Sequence, residues 1–255
     1  MLVVLLLILE MGLQAVPAAS NTPQLKGRIK SVFAERASPN SSSREDGMRV
    51  PWYRESYDDR GRLSELIFFK DTGLVNNTWI STYADDGRLT QREVYDSNKL
   101  LQWREVYTYD EKGTIREVRL VAPDGLSASK YFFKYDNMGR KLEKIRSETN
   151  GREYTTQSYK YDSNGQIGEE FLFAAPGVLD SRLVYTYDQD GNVKSKLEYP
   201  GNGSLEHHWT YKYRYDSHGN WIEQVGTDRK KAKSGDSSSS VQERIYRSIV
   251  YNDIK

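Results

Sequence analysis

Cysteine is absent from the 255 residues. That excludes disulfides, thiolate catalysis, a lipid-modified N-terminal cysteine and cysteine-ligated metal. Histidine is scarce, with only His207, His208 and His218. His207 and His208 are neighbours on an expected strand and point to opposite faces, which argues against a shared metal ion. Charge of one sign is also lacking, because 37 Lys plus Arg nearly cancel 36 Asp plus Glu. No basic field therefore draws the chain onto nucleic acid or anionic lipid. The sequence has no Gly-x-Ser-x-Gly elbow, no glycine-rich phosphate loop and no EF-hand loop. No catalytic residue, cofactor or metal is expected.

The long apolar run is confined to Met1–Leu9, followed by Ala15-Val16-Pro17-Ala18-Ala19-Ser20. It is too short to span a bilayer, and the small residues suit a signal peptidase. Residues 1–19 are read as a secretory signal, although no Lys or Arg precedes the run. Residues 20–255 are then an exported domain, periplasmic or extracellular, that does not span the membrane once the signal is cleaved.

What the chain does have is a repeat. Tyr57, Tyr83, Tyr109, Tyr135, Tyr161 and Tyr187 are spaced 26 residues apart, and Tyr215 follows after 28. Four residues beyond each comes glycine: Gly61, Gly87, Gly113, Gly139, Gly165, Gly191 and Gly219. Aspartate follows most of these tyrosines, as in Asp58, Asp110, Asp136, Asp162, Asp188 and Asp216. A fixed period of this length outranks other signals. Alternating tyrosines suit a strand, and Asp with Gly three residues later suits a type I turn closed by a left-handed glycine, a hairpin with a G1 bulge. Tyr187 should then face Val193, and Asp58 and Asp136 should face Arg62 and Arg140. A second turn recurs sixteen residues after the marker tyrosine, at Gly73, Gly125, Gly151, Gly177 and Gly203, with Lys99 breaking the glycine rule.

The expected fold is all-β, an antiparallel meander of about 16 strands, curled or spiralled into a barrel-like or open shell so that one aromatic face is covered. Gly27–Phe33 is expected as an edge strand. Residues 37–50 and 227–240 are read as inserted loops, from their serine-rich and, in the second, basic composition. Even offsets from the marker tyrosine predict the buried face. On that count Trp79, Trp103, Trp209 and Trp221 belong to it, as core or as ligand contacts. The column Glu65, Gln91, Glu117, Glu143, Glu169, Ser195 and Glu223 falls there as well. Those carboxylates would be structural hydrogen-bond partners, or an acid–base pair on a sugar. Asn76-Asn77-Thr78 forms a glycosylation sequon.

Tyr-x-Tyr-Asp-x-x-Gly-Asn/Arg in tandem, best kept at Tyr107–Asp110, Tyr159–Asp162, Tyr185–Asp188 and Tyr213–Asp216, resembles the YD-repeat family. Members include bacterial Rhs proteins, insecticidal toxin-complex shells and teneurins. The resemblance covers about residues 51–225 and implies a spiralling β shell around a toxic domain, or a role in adhesion or carbohydrate binding. No cargo domain is expected within these 255 residues, and the chain resembles a small, free-standing, exported member. The expected function is a non-catalytic binding module with an unknown protein or glycan partner and no nucleic acid. The alternatives are a carbohydrate-binding or carbohydrate-cleaving protein and a shell fragment of a polymorphic toxin system.

Overall fold

The computed structural model describes residues 24–37, 48–229 and 240–252. The expected signal at 1–19, most of the first insertion and residues 230–239 of the second lie outside the described residues. The ends of both insertions are strand, since Ala37 closes the first strand and Thr227–Arg229 belongs to the fifteenth.

Sixteen strands follow one another in chain order. They are β1 (Ile29–Ala37), β2 (Arg49–Tyr57), β3 (Leu63–Phe69), β4 (Val75–Tyr83), β5 (Leu89–Asp96), β6 (Leu101–Tyr109), β7 (Ile115–Val121) and β8 (Ser127–Tyr135). The second half comprises β9 (Lys141–Glu148), β10 (Glu153–Tyr161), β11 (Ile167–Ala175), β12 (Val178–Tyr187), β13 (Val193–Pro200), β14 (His207–Tyr215), β15 (Trp221–Arg229) and β16 (Ser240–Tyr251). Each pairs antiparallel with its sequence neighbours, and β1 pairs with β16, so the meander closes into a barrel. The edge expected at Gly27–Phe33 does not exist, because β1 lies between β16 and β2. Closure removes the unpaired backbone groups that an open sheet would leave.

The marker turns have the register that their spacing predicts. Asp136 N–H donates to Arg140 O at 2.9 Å and Gly139 N–H to Asp136 O at 3.0 Å. Asp136 Oδ1 accepts from the amides of Met138 and Arg140 at 2.9 and 2.8 Å, and its other oxygen pairs with the Arg140 guanidinium at 2.7 Å. Arg62 holds Asp58 the same way at 2.7 Å. Gly139 has φ 78°, and a Cβ there would meet nothing within 4 Å. Glycine is therefore required by backbone angle and not by space. Lys99 adopts the same left-handed conformation, φ 63°, without being glycine.

One residue of each hairpin overturns the expected pattern of faces. Tyr135 faces Lys141, but Lys134 faces Glu143, so Leu142 is an extra residue, a bulge. The same shift recurs in all seven marker hairpins, as at Tyr109 with Ile115 and Thr108 with Glu117, or Tyr187 with Val193 and Thr186 with Ser195. A one-residue insertion flips the side-chain phase of everything beyond it. After each turn the inner face is therefore carried six, nine and eleven residues beyond the marker, for example by Ile115, Val118 and Leu120. The column from Glu65 to Glu223 is turned outward.

The aromatic face lies inside, because a convex wall cannot cover its own side chains, whereas Trp79 is 1 %, Val118 0 % and Tyr107 5 % exposed. Each marker tyrosine lies along this inner wall. Tyr83 donates to Leu63 O, Tyr109 to Leu89 O, Tyr135 to Ile115 O and Tyr187 to Ile167 O, all at 2.7–2.8 Å. Those carbonyls sit beyond the last pair of the ladder joining one hairpin to the next, as Leu63 lies beyond Glu65–Ile80. The tyrosine hydroxyl thus supplies the donor that the parting strands withdraw. After the 28-residue step the donor becomes Tyr213, bonded to Val193 O at 2.8 Å.

Candidate functional site

The inner wall divides into three sectors whose side chains differ in what they can bind. The first, on β4–β7, is closed. Trp79 donates its indole N–H to Asn77 Oδ1 at 2.7 Å and meets Trp103 edge-on at 6.0 Å and 89°. Arg92 and Glu105 are both buried, with Arg92 Nη1 3.5 Å from Glu105 Oε2. Tyr107 donates to the same oxygen, and burial, followed by the Glu105 charge, pushes its phenol well above the usual range. Glu105 Oε1 and Trp103 Nε1 have no hydrogen-bond partner. Desolvation offsets much of the attraction in a buried pair of this kind, so its net contribution to stability is small. Trp79 has no surface left for a ligand.

The second sector, on β8–β11, is cationic. Lys141, Lys144 and Arg146 occupy all three inward places of β9, where β7 carries Ile115, Val118 and Leu120. Lys141 and Lys144 are 5 % and 4 % exposed. Their ammonium groups lie 4.5 Å over Phe133 and 4.6 Å over Tyr131. Burial, and then the Lys144 charge, lowers the Lys141 amine to about 8, with Glu170 opposing. Glu170, two strands away on β11, accepts from Tyr185 Oη at 3.0 Å.

The third sector, on β13–β16, is aromatic and more open. Trp209 and Tyr211 lie parallel, 6.3 Å apart at 11°. Their place is made by Gly226, where a Cβ would stand 3.0 Å from the Tyr211 ring and 3.5 Å from Trp209. Other strands carry Phe68, Val94, Leu120 or Leu172 at the corresponding inward place. At the end of this stack His207 Nδ1 bonds the buried carboxylate of Asp228, whose other oxygen accepts the His208 amide at 3.2 Å. Burial, and then the Glu243 charge, raises the Tyr211 phenol above its ordinary value. Trp221 lies under the Arg247 guanidinium at 3.9 Å and beside Tyr213 at 6.0 Å. Trp209 and Trp221 thus share a sector, Trp79 and Trp103 share another, and the two pairs are not brought together.

The repeat spacing does not disclose the His207–Asp228 pair. Trp209 faces Asp228 across β14 and β15, which places His207 at the diagonal. The bulge shifts this register by one, so offset counting alone places Asp228 on the wrong face. Among the described residues no group of three or more His, Asp or Glu could hold a metal ion.

The outer wall carries the displaced glutamate column in ion pairs. Glu143 meets Lys134 at 2.8 Å, and Glu169 meets Arg182 at 2.7 Å and Lys160 at 3.8 Å. Glu223 meets Arg214 at 2.9 Å and Arg244 at 3.8 Å, and Glu117 meets Arg119 at 3.4 Å. Glu93–Arg104, at 3.1 Å, extends the pattern toward the other rim. The reading of Glu117 and Glu143 as an acid–base pair among aromatics is overturned, because both stand on the opposite face from the tyrosines.

No helix among the described residues is long and apolar enough to cross a membrane. No family model and no curated protein matches the chain. Among solved structures, the chain is similar to a porin-like protein from Bacteroides uniformis, with a TM-score of 0.59 and 12% identity over 89% of this chain and 98% of that one. A porin-like protein from Bacteroides vulgatus aligns with a TM-score of 0.34 and 16% identity over 89% and 99%. The Photorhabdus luminescens Tc holotoxin pore aligns with a TM-score of 0.23 and 11% identity, over 77% of this chain and 16% of that one. The likeness to the first of these is one of fold.

Proposed function

We propose that this protein is an exported, non-catalytic binding module that works in water at the cell envelope or outside the cell, as a small free-standing relative of YD-repeat shells. The observation that carries this reading is the division of the wall: ion pairs thread its outside, and partly open aromatics line one sector of its inside. A lipid-facing barrel needs an outer band without charge. Here Glu93–Arg104, Glu117–Arg119 and Glu169–Arg182 interrupt any such band. Parallel aromatic rings bordered by a polar His207–Asp228 edge suit the apolar face and hydroxyls of a sugar, which favours a glycan as ligand.

A glycan and protein binding screen on the purified protein tests this. A hit weakened by Trp209→Ala or Tyr211→Ala is the expected result, and a flat response from folded protein counts against it. Fractionation checks the aqueous setting, since release with the soluble fraction is expected. A protein that pellets with membranes and needs detergent for extraction refutes it. An intact Met1 on the exported protein would refute the signal at residues 1–19.

A further inference from the structure

We infer that the inward row of β9 is a binding site for an oxyanion, a carboxylate or phosphate group held between Lys141 and Lys144 with Arg146 next along the strand. The inference rests on the reading of the barrel as a binding protein, but not on the Trp209–Tyr211 surface. Three facts carry it. First, β9 places a cation at all three inward positions, where β3 carries Leu63, Leu66 and Phe68. The bulge at Leu142 brings Lys141 and Lys144 onto one face, about 7 Å apart by the strand rise.

Second, Lys141 is a buried ammonium, 5 % exposed, with no hydrogen bond or ion pair among the described residues, and only the Phe133 ring beneath it. Arg146 Nε is also buried without a partner. A buried charge is costly unless something compensates it, and a ring face compensates only in part. Third, the carboxylate that acts on the Lys141 charge is Glu170, two strands away, and it does so without an ion pair to Lys141 while it accepts from Tyr185. Gln157 faces Lys144 across β10 and β9, is buried, and accepts from Tyr159 through its Oε1 at 3.0 Å. An oxyanion with several acceptor lone pairs fits the Lys141 ammonium and the Arg146 Nε–H, the two buried donors of this row that lack an acceptor among the described residues.

Isothermal titration of the full-length protein with inorganic phosphate, with glucuronate and with neutral glucose tests this. Phosphate or glucuronate is expected to bind, with glucose at least tenfold weaker. Stronger binding of glucuronate than of phosphate identifies a sugar acid as the source of the oxyanion, and the reverse identifies a phosphate. Lys141→Gln and Lys144→Gln should each weaken the anion at least tenfold, Lys141→Arg should retain it, and Lys134→Gln on the outer wall should leave it unchanged. The site is overturned if neither anion binds, or if binding survives Lys141→Gln undiminished. A neutral glycan that binds while both anions fail would leave the binding module standing and remove only this site.

Discussion

The hydroxyl of Tyr109 donates at 2.8 Å to the carbonyl of Leu89, twenty residues back and on the neighbouring hairpin. Six tyrosines make this bond at the same separation. Tyrosine is therefore not interchangeable with phenylalanine at the repeat position, although both would fill the aromatic layer. Tyr109→Phe should cost about 1 kcal/mol, the usual net loss for one hydrogen bond that leaves an acceptor unpaired. Tyr161→Phe, two repeats away, should add to it independently. Chemical denaturation of the single and double variants checks this, and unchanged midpoints would mean that water serves those carbonyls equally well.

Lys99 and Gly139 hold the same backbone conformation with opposite fitness for it. A left-handed angle costs a residue with a Cβ roughly 1–2 kcal/mol, while glycine loses about 0.5–1 kcal/mol of backbone entropy on folding. Gly139→Ala should destabilise by about 1 kcal/mol, and Lys99→Gly should stabilise by less than that. Thermal melts of the two variants should shift in opposite directions.

Asp136 has a carboxyl pulled below its ordinary value of 3.8, first by the Arg140 amide and also by the Arg140 guanidinium. Its folded pKa is depressed, so its stabilising effect is complete above 3.8 and is lost as pH falls through the lower folded value. Asp136→Asn keeps the turn's amide acceptor but removes the charge. Its melting temperature should fall less steeply than that of the parent below pH 4, as scanning calorimetry across pH would record.

Lys141 titrates at about 8 in the fold against 10.5 when free. The unfolded chain holds more protons between those values, so this group makes the protein more stable as pH rises from 8 toward 10. Lys141→Met should raise the melting temperature at pH 7, and its advantage should shrink by pH 9.5. A constant advantage would mean that the amine is not held below its ordinary value.

How far the sequence discloses this molecule turns on one residue per hairpin. The strand number, the meander and the turn register follow from the tyrosine–glycine spacing, because turn chemistry is local. Closure by β1 and β16 is not local: Tyr251 occupies the position toward Asp216 and Asn220 that Tyr215 occupies toward Asp188 and Asn192, with 36 residues between the two tyrosines instead of the repeat's 26. Offset counting misplaces the wall faces after each turn because the bulged position, filled by Arg116, Leu142 or Gly168, has no common side chain to mark it. The glutamate column consequently looked internal, and the meeting of His207 with Asp228 was hidden. The cationic row of β9 was hidden in the same way, since Lys141 and Lys144 lie three residues apart and only the bulge turns them to one side.

The tyrosine-to-carbonyl bond joins each hairpin to the one before it, and the last hairpin returns to the first through β1. Circumference is thus counted in whole hairpins. Adding or losing one 26-residue unit would change the ring by two strands, roughly 10 Å of girth, and leave each remaining marker tyrosine a carbonyl twenty residues back, although pairs that bridge two hairpins, such as Arg92–Glu105, would be broken at the new seam. The girth of such a ring is therefore set by repeat number through its backbone, while its inner side chains must be refitted wherever two hairpins newly meet.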